Sequence, residues 1–405
     1  MEESQKFIRI EKNIKAPVQQ VFFALTNATK LRQWLCDTAI FGARVGGRVY
    51  FAWDNRYFAA GTILELIPNK KIVYSWYGKD EPNPTLVTIH ISSENGHTKL
   101  VLEHSGLDNS TAWLSPTQSI EKGWQVGFEN LISNLEYGID LRISQRPIIG
   151  IFPGEFIQAN SDDSIPIKNG MKVIDVVKDY SAEKAGLKSG DIIFKLNDDE
   201  IKDWKSWIDA INKFKAGDQI KIAYYRGMER QDKDLILSAM ILPEVPETPK
   251  DLAENIKNLL FEMYDRLIML LGDLSEEEAD YSPAPDEWSI KEIIAHFIHT
   301  EREHQNWITN LALSQLPIPS DLSENLTSQV KATVALYPSI AELLELLRKS
   351  IEESVLCYEF LPKNVVEDKS MFWNLAFMGN ALPLHTQSHF KQINNNLKLV
   401  RNQKN

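Results

Sequence analysis

Cysteine is nearly absent. The 405-residue chain holds two, Cys36 and Cys357, far apart and in no CxxC pair. A disulfide framework is excluded, and the usage fits a reducing cytosol. Positive charge is also short: 44 Lys and Arg stand against 56 Asp and Glu, a net charge of −12. The densest basic run is Lys70–Lys71, so no nucleic-acid partner is expected. No apolar run approaches the roughly 18–20 residues that span a bilayer. The N-terminal Met-Glu-Glu-Ser-Gln-Lys has no apolar core of a signal peptide. These absences predict a cytoplasmic protein without a membrane span.

Several catalytic signatures are missing too. The sequence has no HExxH, no GxxxxGK[ST], no GxGxxG and no GxSxG. Metallopeptidase, P-loop NTPase, dinucleotide-binding and serine-hydrolase readings therefore lack local support. Internal repeats and low-complexity stretches are absent as well. What is present is ordinary globular composition, 43% hydrophobic and 25% charged, in a chain long enough for two to four domains.

Three segments carry three textures. The first runs to about Ile143. Phe7–Ile14 predicts a strand. Pro17 opens a helix whose apolar face is Val18, Val21, Phe22 and Leu25. Strand-like pieces follow at Arg48–Trp53, Phe58–Ile67, Lys70–Trp76, Leu86–Ser92 and Lys99–His104. A long helix, roughly Ser115–Ile143, keeps Ile120, Trp124, Phe128, Leu131, Leu135 and Ile139 on one face. An antiparallel sheet covered by one long helix is an α+β layout.

Ile14-Lys15-Ala16-Pro17-Val18, Val21-Phe22, Leu31-Arg32-Gln33-Trp34, Gly46-Gly47 and Trp113 resemble the SRPBCC (START-like, helix-grip) superfamily, in the branch related to the activator of the heat-shock-protein-90 ATPase. The resemblance implies a curved sheet around the long helix, often with a cavity for a small apolar ligand. Trp53, Tyr74, Trp76, Trp124 and Phe128 either line such a cavity or fill a core.

The second segment, about Arg146–Leu237, has short strands and glycine-stopped turns. Ala185-Gly186-Leu187-Lys188-Ser189-Gly190-Asp191-Ile192-Ile193 resembles a PDZ domain of the bacterial, protease-associated type. That resemblance implies a site for the C-terminal peptide of a protein partner, which adds as a strand at the sheet edge. The loop whose backbone N–H groups would take the terminal carboxylate is matched by Ile148, Ile149, Gly150 and Ile151. The alternative is a PDZ unit acting as a spacer.

Leu242-Pro243-Glu244-Val245-Pro246-Glu247-Thr248-Pro249 is proline-rich and marks a boundary. Beyond it the period is helical. One helix carries Leu252, Ile256, Leu259, Met263, Leu267 and Leu270, and a second starts at Ser289. A third carries Ile340, Leu343, Leu344, Leu347, Ile351 and Tyr358, and a fourth runs from about Leu382 to Val400. Four long amphipathic helices predict a bundle. The expected order is 1–144 helix-grip, 145–241 PDZ, 242–250 linker and 251–405 four-helix bundle.

Five of the eight histidines lie in the last 110 residues. His385 and His389 stand one helical turn apart on one face. Two imidazoles so spaced reach one ion at roughly 2.0–2.1 Å each. His296, among Ile293, Ile294, Ala295 and Phe297, is a candidate third ligand, and His299 on the same face is its rival. Three histidines leave a fourth position open, the pattern of a catalytic site.

The stretch Asp286–Glu301 and the run His385-Thr386-Gln387-Ser388-His389-Phe390-Lys391-Gln392-Ile393 resemble the DinB superfamily. The resemblance implies a divalent metal, Zn or Ni, on His296, His385 and His389, and in some members thiol transfer. Glu301 and Glu303 are acid–base candidates by proximity only, and Cys357 reads as a core residue. The expected function is a metal-dependent thiol transferase or hydrolase fused to apolar-ligand and peptide-binding domains. The alternative is a non-enzymatic multi-module binding protein, linked to stress response or chaperones.

Overall fold

A computed structural model describes residues 6–94, 96–157, 169–242, 244–284, 287–316 and 326–403. Within helix and strand, the side chains of residues 6, 326, 381–385, 387, 388 and 403 lie outside that description, His385 among them. Pro243, in the proline-rich linker, and Asp286, in the DinB-like motif, are likewise outside the described residues. Two compact units are present: Met1–Asp140 with Pro243–Asn405, and Leu141–Leu242.

The N-terminal part of the first unit has β1 (Lys6–Ile14), α1 (Val18–Thr26), α2 (Ala28–Trp34), β2 (Thr38–Phe41), β3 (Arg48–Ala52), β4 (Phe58–Ile67), β5 (Lys71–Gly78), β6 (Thr85–Glu94), β7 (His97–Leu107) and α3 (Thr111–Tyr137). The sheet order is β1-β7-β6-β5-β4-β3-β2, antiparallel at every pairing. Alternate residues of β6, Thr85, Val87, Ile89 and Ile91, are buried, the period-2 signature of a sheet with one covered face. Helix α3 covers it, burying Trp113, Ile120, Trp124, Phe128 and Leu131 at helical spacing. It ends at Tyr137 rather than near residue 143. Gly138 takes φ 80 and its N–H returns to the Asn134 carbonyl, a left-handed stop. Strand β2 was not expected, since four residues carry too little periodicity to read.

Among the described residues the same unit has seven C-terminal helices: α7 (Pro249–Leu271), α8 (Glu276–Ala279), α9 (Ile290–Ala312), α10 (Leu326–Leu336), α11 (Ile340–Glu359), α12 (Lys363–Glu367) and α13 (Lys369–Gln403). Their starts are chemically marked. Thr248 accepts from Asp251 N with Pro249 next to it, and Ser275, Ser289 and Ser339 form capping boxes with Glu278, Glu292 and Glu342. The long helices α7, α9, α11 and α13 bury Leu260, Ile294, Leu347, Leu375 and Ile393 in one core. The fourth long helix begins at Lys369, well before the expected Leu382, because Met371, Phe372, Trp373, Leu375 and Ala376 are buried in the first turns. Gly379 inside this helix serves packing. A Cβ there would lie 2.5 Å from Ile256 Cδ1 and 2.7 Å from the Tyr358 hydroxyl.

The second unit contains α4 (Leu141–Ser144), β8 (Ile151–Ile157), β9 (Gly170–Val176), α5 (Ser181–Ala185), β10 (Ile192–Leu196), β11 (Asp199–Glu200), α6 (Trp204–Ile211), β12 (Gln219–Arg226) and β13 (Glu229–Ile236). The order is β13-β12-β10-β9-β8, with β11 on β10. Its core includes Met171, Val173, Ile193, Leu196, Ile222 and Tyr224. Arg226 clamps the 1%-exposed Asp191 with two 2.8 Å bonds, a bidentate pair that holds β12 over the glycine turn before β10. The chain is therefore α+β, then sheet-rich, then all-α.

Candidate functional site

His296 lies in the second turn of α9, 6% exposed among Ile293, Ile294, Ala295, Phe297 and Ile298. His389 lies far along α13. Their ring centroids are 5.0 Å apart at 68°. Trp288 and Phe297 frame the pair: Trp288 is 4.9 Å from His296, and Phe297 is 5.7 Å from His389. The Asn396 amide donates to the Trp288 carbonyl at 2.9 Å, tying α13 to the start of α9. His389 Nδ1 lies 3.0 Å from Gln392 Oε1. A carbonyl oxygen only accepts, so Nδ1 donates and Nε2 carries the lone pair that a metal takes.

His385 is on the same helix one turn earlier, with its backbone helical and its side chain outside the described residues. Among the described residues no group of three His, Cys, Asp or Glu is arranged to hold a metal. The two described rings nevertheless fit one: they meet from two helices, and Gln392 sets the tautomer of His389.

The other bundle histidines turn elsewhere. His299 Nε2 lies 2.9 Å from Thr333 Oγ1 of α10. Burial, then nearby Arg302, lowers its pKa, while a bond to the Gln329 backbone opposes this. His304 Nε2 meets the Tyr358 hydroxyl at 2.7 Å, and that hydroxyl donates to the Leu375 carbonyl. His304 therefore donates to Tyr358, and burial pushes it down to about 4.

Glu301 faces α11, where the Ser354 hydroxyl donates to it at 2.7 Å. Burial raises it to about 7, and the Ser354 bond opposes only part of that. Glu303 lines an open groove with His299, Arg302, Asn306, Gln329 and Thr333. Cys357 is half-buried against the bundle core, and burial raises its thiol.

All five aromatics named in the N-terminal part come together. Trp76 and Trp124 lie 5.5 Å apart, Trp124 and Phe128 5.7 Å, and Trp53 and Trp76 6.5 Å. Tyr74 joins through Phe51 at 6.3 Å. These rings pack on one another, so a ligand entering here must part them. The sequence reading missed two buried polar residues beside them. Trp124 Nε1 donates to His104 Nδ1 at 3.2 Å, and His104 Nε2 therefore donates to Thr85 Oγ1 at 2.7 Å. Burial pushes His104 down to about 4. Glu81 accepts from the Tyr57 hydroxyl, Trp76 Nε1 and Gly78 N at 2.6, 3.1 and 2.9 Å. The only sequence signal for His104 was its inward register on β7.

In the second unit, Ile148 pairs with Ser238 in a two-bond bridge. Ile149 is 4% exposed and belongs to the core. Gly150 has φ 84, and a Cβ there would lie 2.1 Å from Tyr180 Cβ, so glycine is required twice over. Ile151 opens β8, an outer strand of the sheet.

Three family models match along the chain. Activator of Hsp90 ATPase homolog 1-like protein matches residues 15–136, PDZ domain 155–237 and DinB superfamily 259–393. The three matches follow one another along the chain without overlap. The DinB match contains His296, His385 and His389. The PDZ match begins after the Ile148–Ile151 loop.

Among curated relatives, the chain is 32% identical over 115 residues to a serine protease Do-like HtrA of Lactococcus lactis subsp. lactis (strain IL1403), covering 27% of this chain and 28% of that protein. It is 31% identical over 111 residues to a probable periplasmic serine endoprotease DegP-like of Marinomonas sp. (strain MWYL1), covering 27% and 22%. The chain thus spans about a quarter of the length of the curated relatives it matches. Similar solved structures include a protein from Mesorhizobium loti, 24% identical, TM-score 0.30, covering 32% of this chain and 97% of that one. The Aha1 dimer from Colwellia psychrerythraea is 21% identical, TM-score 0.30, covering 32% and 96%. An HSP90 activator from Plasmodium falciparum is 26% identical, TM-score 0.29, covering 32% and 96%. Among the described residues, no helix is long and apolar enough to cross a membrane.

Proposed function

We propose that the DinB module is a metal-dependent enzyme, a thiol transferase or a hydrolase, with a divalent ion, Zn or Ni, held by His296, His385 and His389. The supporting observation is the 5.0 Å approach of the His296 and His389 rings from two helices, with His385 one turn from His389. When bound, such an ion holds a thiol as its thiolate or acidifies a water at its open position. The chain's own part is positional. Gln392 takes the His389 Nδ1 proton and so leaves the lone pair on Nε2, and Trp288 and Phe297 restrict water around the pair.

In this reading the module order is 1–144, 145–241, 242–250 and 251–405. The PDZ module binds the C-terminal peptide of a partner through the Ile148–Ile151 loop, and the helix-grip module accepts a small apolar ligand at its aromatic cluster. A cytoplasmic location fits the two free cysteines, Cys36 buried and Cys357 half-buried.

One observation favours a second reading. Glu301, an acid–base candidate, faces Ser354 on α11. A chain whose metal lacks a proton-transfer partner is a multi-module binding or chaperone-associated protein. Elemental analysis of the purified full chain, followed by a thiol-transfer assay with the metal-loaded protein, separates the two. Metal at about one per chain with turnover supports the enzyme, and stoichiometric metal without turnover supports the binder. No metal removes the enzyme reading.

A further inference from the structure

Among the described residues, strand β8 pairs with β9 alone and is an outer strand of its sheet. The Gly150 carbonyl accepts from Val177 N at 2.9 Å, so residue 150 faces β9. Backbone polar groups alternate in direction along a strand. The groups of Ile151 therefore face outward, toward any added strand. Those of residue 153 do too, because its partner across the pair, Val173, donates its N–H to the Asp191 carbonyl and accepts at its own carbonyl from Gly190 N, both at 2.8 Å on the other side of β9. Residue 153 is Pro153, which has no N–H to give.

The disturbance does not stop there. Pairing with β9 slips between Phe152 and Pro153, and again between Pro153 and Phe156. Gly154 sits in the second slip, where a Cβ would lie 2.9 Å from both Ile174 Cγ1 and the Lys172 carbonyl. Past the slip, the Phe156 ring meets Trp204 of α6 edge-on, centroids 6.3 Å apart. This fastens the far end of β8 to the helix.

We infer that Pro153 makes this a short-peptide site, which reads a terminal carboxylate and the last two or three residues and gains little from residues further upstream. The inference rests on the peptide-binding reading proposed above. An added strand finds its carboxylate donors in the loop after Ile148, whose own N–H goes to the Ser238 carbonyl, then meets a rung with no donor, then a bent edge.

The test is titration of the full chain with free-acid peptides of three and eight residues sharing one apolar C-terminus. An amidated octapeptide and the Pro153→Ala variant complete the set. The two lengths should bind within about threefold of each other, the scale of one ordinary hydrogen bond. Pro153→Ala should tighten the octapeptide by about three- to tenfold and leave the tripeptide unchanged. A gain of more than about tenfold with length in the unaltered chain overturns the inference and leaves peptide binding intact. Equal binding of amidated and free-acid peptides, or no binding, overturns both. The length series needs no variant, so a misfolded Pro153→Ala protein does not blunt the test.

Discussion

Lys30 and Asp368 form an ion pair, Nζ to Oδ2 2.6 Å, between α2 in the N-terminal α+β part of the first unit and the start of its last helix, α13. Lys30 is 5% exposed, and burial lowers its pKa against the pull of Asp368. Ser370 adds a 3.0 Å bond to the same ammonium. Thr29 accepts from Leu316 N, and Lys369 donates to the Glu136 carbonyl. The N-terminal and C-terminal parts of this unit meet through a polar seam.

Removing one partner of that pair should be costly. Lys30→Ala leaves the Asp368 carboxylate beside a hole and should lower stability by about 3 kcal/mol, the low end for a buried pair because Asp368 is partly exposed. Replacing both residues by Met and Leu should cost less than about 1 kcal/mol. Denaturant unfolding measures both. Equal losses in the single and double variants would show that packing, not charge, holds the seam.

The seam also predicts how a nicked chain behaves. Glu244, Glu247 and Thr248 are exposed in the proline-rich stretch, a favourable site for limited proteolysis. Cleavage between residues 242 and 250 should yield two fragments that co-elute in gel filtration. Fragments that separate under native conditions would show the seam to be too weak to hold them.

Metal content is the third prediction. His385→Ala and His389→Ala should each abolish stoichiometric metal, and His299→Ala, bound up with Thr333, should retain it. Gln392→Ala should weaken binding by about 10- to 100-fold by releasing the His389 tautomer. Competition with a chromogenic chelator measures all four. Loss of metal in His299→Ala with retention in His296→Ala would replace the proposed third ligand.

The fourth concerns pH. Glu301 is raised to about 7 in the folded protein, first by burial, against roughly 4.3 in an unfolded chain. Its folded-state contribution is complete below the unfolded value and is lost as pH rises through about 7. Glu301→Gln keeps the Ser354 bond and carries no charge. It should stabilise the protein by up to about 3 kcal/mol at pH 8 and change little at pH 4. His104 and His304 run the other way. Both are pushed down to about 4 by burial, so their contribution is complete above roughly 6.5 and is lost as pH falls toward 4. Thermal melts of Glu301→Gln at pH 4 and pH 8 check the first part, and a pH-independent effect would place Glu301 in contact with solvent.

The sequence alone determined the three textures and their order, because local periodicity carries that information: strand-like alternation through β6, a 3–4 spacing in α3 and in the bundle helices. It also pointed to His296 and His389, since a spacing of four on a helix and an apolar helix start are local patterns. Tertiary structure decided the rest. Burial of Met371, Phe372, Trp373, Leu375 and Ala376 starts α13 a dozen residues early, and Gly379 within it leaves room for Ile256 of α7 and Tyr358 of α11. Lys30 reads as a surface charge until Asp368, more than three hundred residues away, makes burial tolerable. Glu301 and His296 are close in sequence but face different helices, one α11 and the other α13. A helix advances about 100° per residue, and only packing decides which neighbour each face meets.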